Sequence, residues 1–326
     1  MTNFWKQLKK KNKPIMCLAP MADVTDAAFR RVIVKHSEPD VIFTEFVSCD
    51  GLCSEGKKNL LLNLKYTEKE RPIVAQVFGS KPENFYQTAK IIKKLGFDGV
   101  DINMGCPHKP IEKQGAGSAL IKNSKLAQEI ILATKKGARA GTTAGQAGNM
   151  PVSVKTRLGY NKIETKWIKA ILETKPDVIS IHWRTRKEMS KVGAHWEEAK
   201  KVIKLRDKYS PQTLIIGNGD VENLAQAHEL VKKYKVDGIM VGRAVIGNPW
   251  FFNPVMQEVD LKTRLKVMLE HAKFFEKLYK NKRNFLIMRK HMNAYIKGFD
   301  NIKPLRIELM KTKNAKEVEK IVNKFL

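Results

Sequence analysis

Apolar residues along this 326-residue chain follow two rhythms. Short β-type runs occupy residues 15–19, 41–46, 73–78, 99–103, 152–155, 178–182, 213–217 and 238–242. Between them the period lengthens to that of a helix. In residues 82–95, for example, Phe85, Ala89, Ile92 and Leu95 recur at helical spacing. Eight strand–helix units in about 250 residues fit an α/β fold of the closed (β/α)8 TIM-barrel type. A doubly wound parallel sheet is the alternative that pattern alone leaves open.

After Asn248-Pro249-Trp250 the strand rhythm stops. Leu261, Leu265, Leu269, Ala272 and Phe275 mark one helix, Phe285, Met288, Met292, Tyr295 and Ile296 a second, and Val318, Ile321, Val322 and Phe325 a last. The chain therefore divides into a barrel over residues 1–254 and a small helical domain over 255–326. One stretch fits neither rhythm. Residues 137–150 carry Gly137, Gly141, Gly145 and Gly148 without the Gly-Lys-Ser/Thr ending of a phosphate loop. They read as a flexible surface insertion between helix and strand, on the face away from the chemistry.

Charge changes the picture more than composition does. The chain has 61 Lys and Arg against 33 Asp and Glu, a net charge of +28. The helical part alone holds 18 basic and 8 acidic residues, net +10. Such an excess favours a polyanionic partner, nucleic acid before an anionic membrane. Four cysteines are too few for a disulfide scaffold, and Cys49 and Cys53 lack a second pair at zinc spacing, so no metal site is expected. No apolar run reaches the roughly 18 residues of a membrane span, and no apolar stretch of leader length follows the basic N-terminus. A cytoplasmic protein with reduced thiols is the expectation.

Candidate chemistry sits where runs end. Gln76, Asn103, Lys155, His182 and Asn218 lie at strand ends, and barrels of this kind keep their chemistry in the loops that follow strands. The segment Asp101-Ile102-Asn103-Met104-Gly105-Cys106-Pro107 places a thiol just past a strand. That suits an acid or a nucleophile, with a buried free cysteine as the plain alternative. A glycine-rich turn, Gly115-Ala116-Gly117-Ser118, follows.

These motifs, in their order, resemble the tRNA-dihydrouridine synthase family. The likeness runs from Ala19-Pro20-Met21-Ala22, Thr25-Asp26 and Phe29-Arg30 through Thr44-Glu45, Ala75-Gln76, the Cys106 stretch and Val154-Lys155-Thr156-Arg157-Leu158-Gly159. It continues through His182, Arg184-Thr185, Gly217-Asn218-Gly219-Asp220, Gly242-Arg243, Asn248-Pro249-Trp250 and Arg289-Lys290-His291. The resemblance implies reduction of the uracil C5–C6 double bond in tRNA, with FMN as hydride carrier and NADPH as reductant. It makes Cys106 the proton donor to C5, a role open to a thiol of ordinary pKa. It implies that Asn103 holds the uracil edge and that Arg157 polarises a uracil carbonyl. Lys155 would sit by the isoalloxazine, Gln76 at a ring edge, and Pro20, Met21 and Ala22 along the ring, with His182 at the flavin or the base. The loops holding Asn218, Gly219, Asp220, Gly242 and Arg243 would take the phosphate.

Two positions depart from the family. Trp183 stands where a glycine is usual and should alter local geometry or add a stacking surface. Asp23 replaces another glycine and suits left-handed backbone. Lys280, Lys282, Arg283, Arg289 and Lys290 are expected to meet tRNA phosphates, and a chain ending near Val255 to bind FMN but hold tRNA poorly. A flavin barrel acting on a small molecule would not need this charge. An RNA-binding protein without turnover would not need Cys106, Lys155 and Arg157 together. The target uridine and the oligomeric state are left open.

Overall fold

The computed structural model describes residues 3–141, 148–256, 258–280 and 282–325. Each apolar run becomes a strand: β1 (Ile15–Leu18), β2 (Val41–Phe43), β3 (Ile73–Phe78), β4 (Gly99–Met104), β5 (Val152–Arg157), β6 (Val178–His182), β7 (Leu214–Asn218) and β8 (Gly238–Val241). All pair in parallel. Cys17 lies opposite both Val41 and Met240, so β1 joins β2 to β8 and the sheet closes on itself. A doubly wound sheet has two free edges and is thereby excluded. A two-residue strand, Val47–Ser48, adds to the end of β3.

Alternation along each strand sorts the core into two populations. Outward residues such as Ile73, Ala75, Val100, Ile102, Val154, Ile179 and Ile215 pack beneath the surrounding helices. Inward residues Ile15, Val41, Phe43, Val74, Val178 and Leu214 fill the lower barrel. The helix Phe4–Lys10 plugs that lower end with Phe4, Trp5 and Leu8. Asn3 caps this helix through the Trp5 N–H (3.1 Å), and its Nδ2 donates to Asp177 Oδ1 (2.6 Å). Its lysines marked the N-terminus in the sequence; its three apolar residues are what seat it.

Gly137 is not part of an insertion. It lies inside the helix Ser124–Arg139, where a Cβ would stand 2.2 Å from the Tyr86 carbonyl oxygen, so glycine lets this helix approach Pro82–Lys94. Residues 142–147 of the glycine-rich stretch lie outside the described residues. The residues after them enter β5 from its N-terminal end, the lower face.

Beyond the barrel, the helices Leu261–Tyr279, Met288–Tyr295, Lys303–Leu309 and Ala315–Phe325 share a core of Leu265, Met268, Phe275, Met292, Leu309 and Val318. Lys303–Leu309 was not read from the sequence. The same core takes in Ala28 and Val32 of the barrel helix Ala27–His36, and Trp250. The helical part is therefore docked on the first barrel helix through a continuous apolar contact. Among the described residues no helix is long and apolar enough to cross a membrane.

Candidate active site

At the upper, C-terminal end of the strands the inward positions turn polar. Asp101 accepts from Gln76 Nε2 (2.7 Å) and from Ser153 Oγ (2.5 Å). Gln76 Oε1 accepts from Asn103 Nδ2 (2.9 Å). Burial raises the Asp101 carboxyl to about 6. Gln76 is fully buried, with both ends of its amide engaged. It sits one layer below the mouth and supports Asn103, so it does not border the open cleft where a ring edge was expected.

Asn103 in turn shapes the loop that follows. Its Oδ1 accepts from the Gly105 N–H (3.2 Å) and the Cys106 N–H (2.9 Å). The Cys106 carbonyl oxygen is held by the Ser118 N–H (3.0 Å). Gly117, at φ +60°, passes so close that a Cβ would lie 2.7 Å from that same oxygen. Glu112 accepts from Ser118 Oγ (2.8 Å) and pairs with Arg186, tying this turn to the loop after β6. Neither Glu112 nor Arg186 stood out in the sequence, because their pairing spans 74 residues. Cys106 is thus fixed from both sides. Burial pushes its thiol above the ordinary value, outweighing the Lys155 and Arg157 cations, so it stays protonated near neutrality.

Arg157 Nε donates to the Gly105 carbonyl (2.9 Å), and its Nη1 to those of Thr185 (3.1 Å) and Met189 (2.9 Å). It is a clamp between two loops as well as a cation, and burial lowers it to about 10. Lys155 reaches Asn218 Oδ1 at 3.3 Å. Burial, then Arg157, lowers its ammonium to about 8. Among the described residues neither cation forms an ion pair with a carboxylate.

His182 Nε2 lies 3.0 Å from Arg184 Nη1. Arginine can only donate, so Nε2 accepts and the ring proton sits on Nδ1. Burial, with Arg157 and Lys155 next, holds this imidazole neutral. Asp220 takes a left-handed backbone (φ 52°). Its carboxylate collects Arg184, the Ala194 N–H (2.9 Å) and Arg243 Nη2 (2.9 Å). It ties together the loops that follow β6, β7 and β8 and is itself neutralised.

These groups surround an open cleft of about 740 Å³. Of the residues expected from sequence, Pro20, Met21, Lys155, Arg157, His182, Asn218, Gly219, Asp220, Gly242 and Arg243 border it. Asn103 pairs across the sheet with Lys155, and Cys106 follows the Gly105 carbonyl that Arg157 holds, so both stand beside it, and Ala22 is exposed on the rim loop. Ser190 and Lys297 also border it, and neither was expected. Lys297 comes from the helical part, and only the docking of the two parts brings it there.

Trp183, Arg283 and Arg289 are placed differently from the expectation, and Asp23 as expected. Trp183 points outward and is buried against Trp196 (5.6 Å between rings), so it offers no stacking surface. Gly217 makes its room, since a Cβ there would lie 2.8 Å from Trp183 Nε1. Asp23 does adopt left-handed backbone, at φ 55°. Arg283 does not face outward, as a phosphate contact would. It is turned inward onto Glu45 (2.9 Å), Asn63 (2.8 Å) and Asp26 (3.5 Å). Arg289 is half-buried, and its Nε faces no solvent.

A family model described as Dihydrouridine synthase (Dus) matches residues 17–326. A probable tRNA-dihydrouridine synthase of Staphylococcus aureus (strain MRSA252) is 41% identical over 327 residues, which cover 99% of this chain and 95% of that protein. The probable tRNA-dihydrouridine synthase 2 of Bacillus subtilis (strain 168) is 40% identical, with 99% and 96% covered. Histamine dehydrogenase from Rhizobium sp. 4-9 is similar at a TM-score of 0.54 and 13% identity, over 80% of this chain and 49% of that one, a likeness of fold alone. With a family match across nearly its whole length and full-length relatives at this identity, the chain belongs to the dihydrouridine synthase family.

Proposed function

We propose that this oxidoreductase reduces the C5–C6 double bond of uridines in tRNA, with FMN seated in the cleft and NADPH as reductant. The observation that carries the reading is a protonated thiol, Cys106, locked on a loop beside a cleft whose cations Lys155 and Arg157, among the described residues, form no ion pair with a carboxylate. Unpaired buried cations call for an anionic ligand. The donor set fits a flavin mononucleotide: Lys155 for the negative charge of a reduced ring, and Arg243 with the backbone at Gly219 and Gly242 for a phosphate.

FMN, when bound, supplies the hydride for uracil C6. The chain's own residues do the rest. Cys106 gives its proton to C5, and its raised pKa keeps that proton available. Arg157 has Nε and Nη1 committed to backbone, which leaves Nη2 for a uracil carbonyl. Asn103 places Cys106 through Oδ1 and keeps one N–H for the uracil edge, while Gln76 acts through Asn103. Pro20, Met21 and Ala22 flank the ring, and His182 offers its Nδ1–H.

The helical domain, residues 255–326, holds the tRNA through exposed Lys280, Lys282, Lys290 and Lys297, and contacts away from the target offset the roughly few kcal/mol of lifting a uridine from its stack. This work belongs in the cytoplasm. The test is direct. The purified protein should release FMN on denaturation and, with FMN and NADPH, form dihydrouridine at mappable positions in unmodified tRNA. Protein that neither carries nor takes up FMN overturns the cofactor reading. Flavin turnover without dihydrouridine in any tRNA overturns the substrate reading.

A further inference from the structure

The first cleft loop, residues 19–26, touches the helical domain at several points. Pro20 and Met21 border the cleft. Within the loop, Thr25 Oγ1 accepts from the Met21 N–H (2.9 Å), while the Val24 and Thr25 N–H groups return to the Met21 carbonyl at 3.1 and 3.0 Å. The segment is a small closed unit, so whatever moves Asp23 or Asp26 moves Met21.

Its outer side is gripped by the helical domain. The Asp23 backbone lies next to the buried His291 ring. Tyr279 Oη accepts from the Ala27 N–H (3.2 Å). Glu45, at the end of β2, bridges the two parts: Oε1 accepts from the Asp23 N–H (2.7 Å) and Oε2 from Arg283 Nη2 (2.9 Å). Arg283 Nη1 lies 3.5 Å from Asp26 Oδ2, and Asp26 Oδ1 caps the helix Ala27–His36 through the Phe29 N–H (2.9 Å). Asp26 and Glu45 are both buried carboxylates. Arg30 is committed to Glu70 and to the Thr25 and Lys65 carbonyls, so Arg283 is the cation that sits between them. Without it, two buried like charges would face each other across the loop.

We infer that Arg283 is a positioning residue: acting through Glu45 and Asp26, it holds residues 19–26 in the shape that receives the cofactor ring, so that the helical domain takes part in cofactor binding as well as in holding RNA. The cofactor part rests on the reading of the cleft as a flavin site; the holding of the loop does not. A consequence is that a chain ending near Val255 should bind FMN poorly, contrary to the expectation from sequence.

The experiment uses the full chain and two readouts: amide hydrogen exchange at residues 21–25 in flavin-free protein, and FMN affinity from flavin fluorescence. Losing a charge-assisted hydrogen bond should speed exchange of the Asp23, Val24 and Thr25 amides roughly tenfold in Arg283→Met and weaken FMN by a similar factor. Val322→Ala, in the helical core away from the loop, should lower the melting temperature and change neither readout. Arg283→Lys keeps a charge but cannot serve Glu45 and Asn63 together. It should fall between parent and Arg283→Met, and it decides the matter if Arg283→Met does not fold. Parent-like exchange in these variants overturns the inference, as does an equal effect from Val322→Ala. If the parent binds no FMN yet Arg283→Met still frees the loop, the positioning role stands and the flavin reading falls.

Discussion

The lower and upper halves of the barrel interior are built by the same strands with the same alternation, yet they obey different demands. Along β3 the inward positions run from Val74 to Gln76, along β6 from Val178 through Ser180 to His182, and along β7 from Leu214 through Ile216 to Asn218. The lower set, sealed by Trp5, has only to fill volume, and many apolar combinations would do so. The upper set must satisfy each polar atom as it leaves water, which fixes Gln76, Asp101, Asn103 and Ser153 relative to one another. One step of the two-residue repeat thus separates packing from chemistry. A variant in one half should leave the other half's property largely alone.

The sharpest break between the halves is at Cys106. Cys106→Ala should lower dihydrouridine formation by roughly 10²–10⁴-fold, the range of a lost general acid. Flavin content and melting temperature should stay near those of the parent. Mass spectrometry of the tRNA product beside a thermal scan measures both, and unchanged product formation would make the thiol structural. The mirror experiment is Trp5→Ala, which opens a cavity in the lower plug and should remove about 3–5 kcal/mol of stability by urea titration. Its FMN affinity, measured well below the unfolding transition, should match the parent. Loss of flavin from folded Trp5→Ala would show that the halves are not separable.

A smaller effect lies in the pH dependence of the upper half. Lys155 titrates at about 8 in the flavin-free protein, pushed down first by burial and then by Arg157. Below that pH it is a cation ready for an anionic ligand. As pH rises through it, the cation is lost, and FMN affinity should fall by up to about tenfold per pH unit. Lys155→Met should bind more weakly at neutral pH and lack this step. Flavin titrations between pH 6 and 9.5 test it, and a parallel profile in the variant would assign the step elsewhere. The same shift has an opposite sign for folding. Between the folded value and the higher unfolded value the unfolded chain binds more protons, so Lys155 adds to flavin-free stability as pH rises through that window.

The two halves also differed in how far the sequence disclosed them. Apolar runs placed all eight strands, because a strand buried on both faces leaves an unbroken signature. The strand ends pointed to Lys155, His182 and Asn218, which do border the cleft. Which polar residue contacts ligand and which one supports another was not legible. Gln76 and Asn103 look equally suited to a ligand as residue types, and only the structure shows that their amides meet at 2.9 Å. Arg283 read as one basic residue among many until Glu45, 238 positions away, appeared beside it. Lys297 was overlooked because domain docking alone carries it to the mouth. Trp183 was misjudged as a stacking surface, although its neighbour His182 faces inward and alternation turns Trp183 toward Trp196.

Lysines lie at both ends of the barrel, and this permits the finest test of the comparison. Lys297 borders the cleft, and Lys282 is exposed in the helical part beside Arg283. Lys6 and Lys11 are exposed at the N-terminal helix that plugs the lower end. Replacing either pair by glutamate changes the net charge equally, so nonspecific attraction for RNA at long range falls by a similar amount in both. Local phosphate contacts are another matter. Each one lost should reduce the slope of log affinity against log salt by roughly 0.7–0.9, so the Lys282→Glu, Lys297→Glu protein should lose about one to two units. The Lys6→Glu, Lys11→Glu protein should keep the parent slope. Filter-binding titrations with unmodified tRNA across a salt series measure both, and NADPH oxidation without tRNA serves as the control that the upper site is intact. Equal slopes in the two variants would mean that the tRNA senses only the overall field of this basic chain, and the upper face would then lose its claim as the docking side.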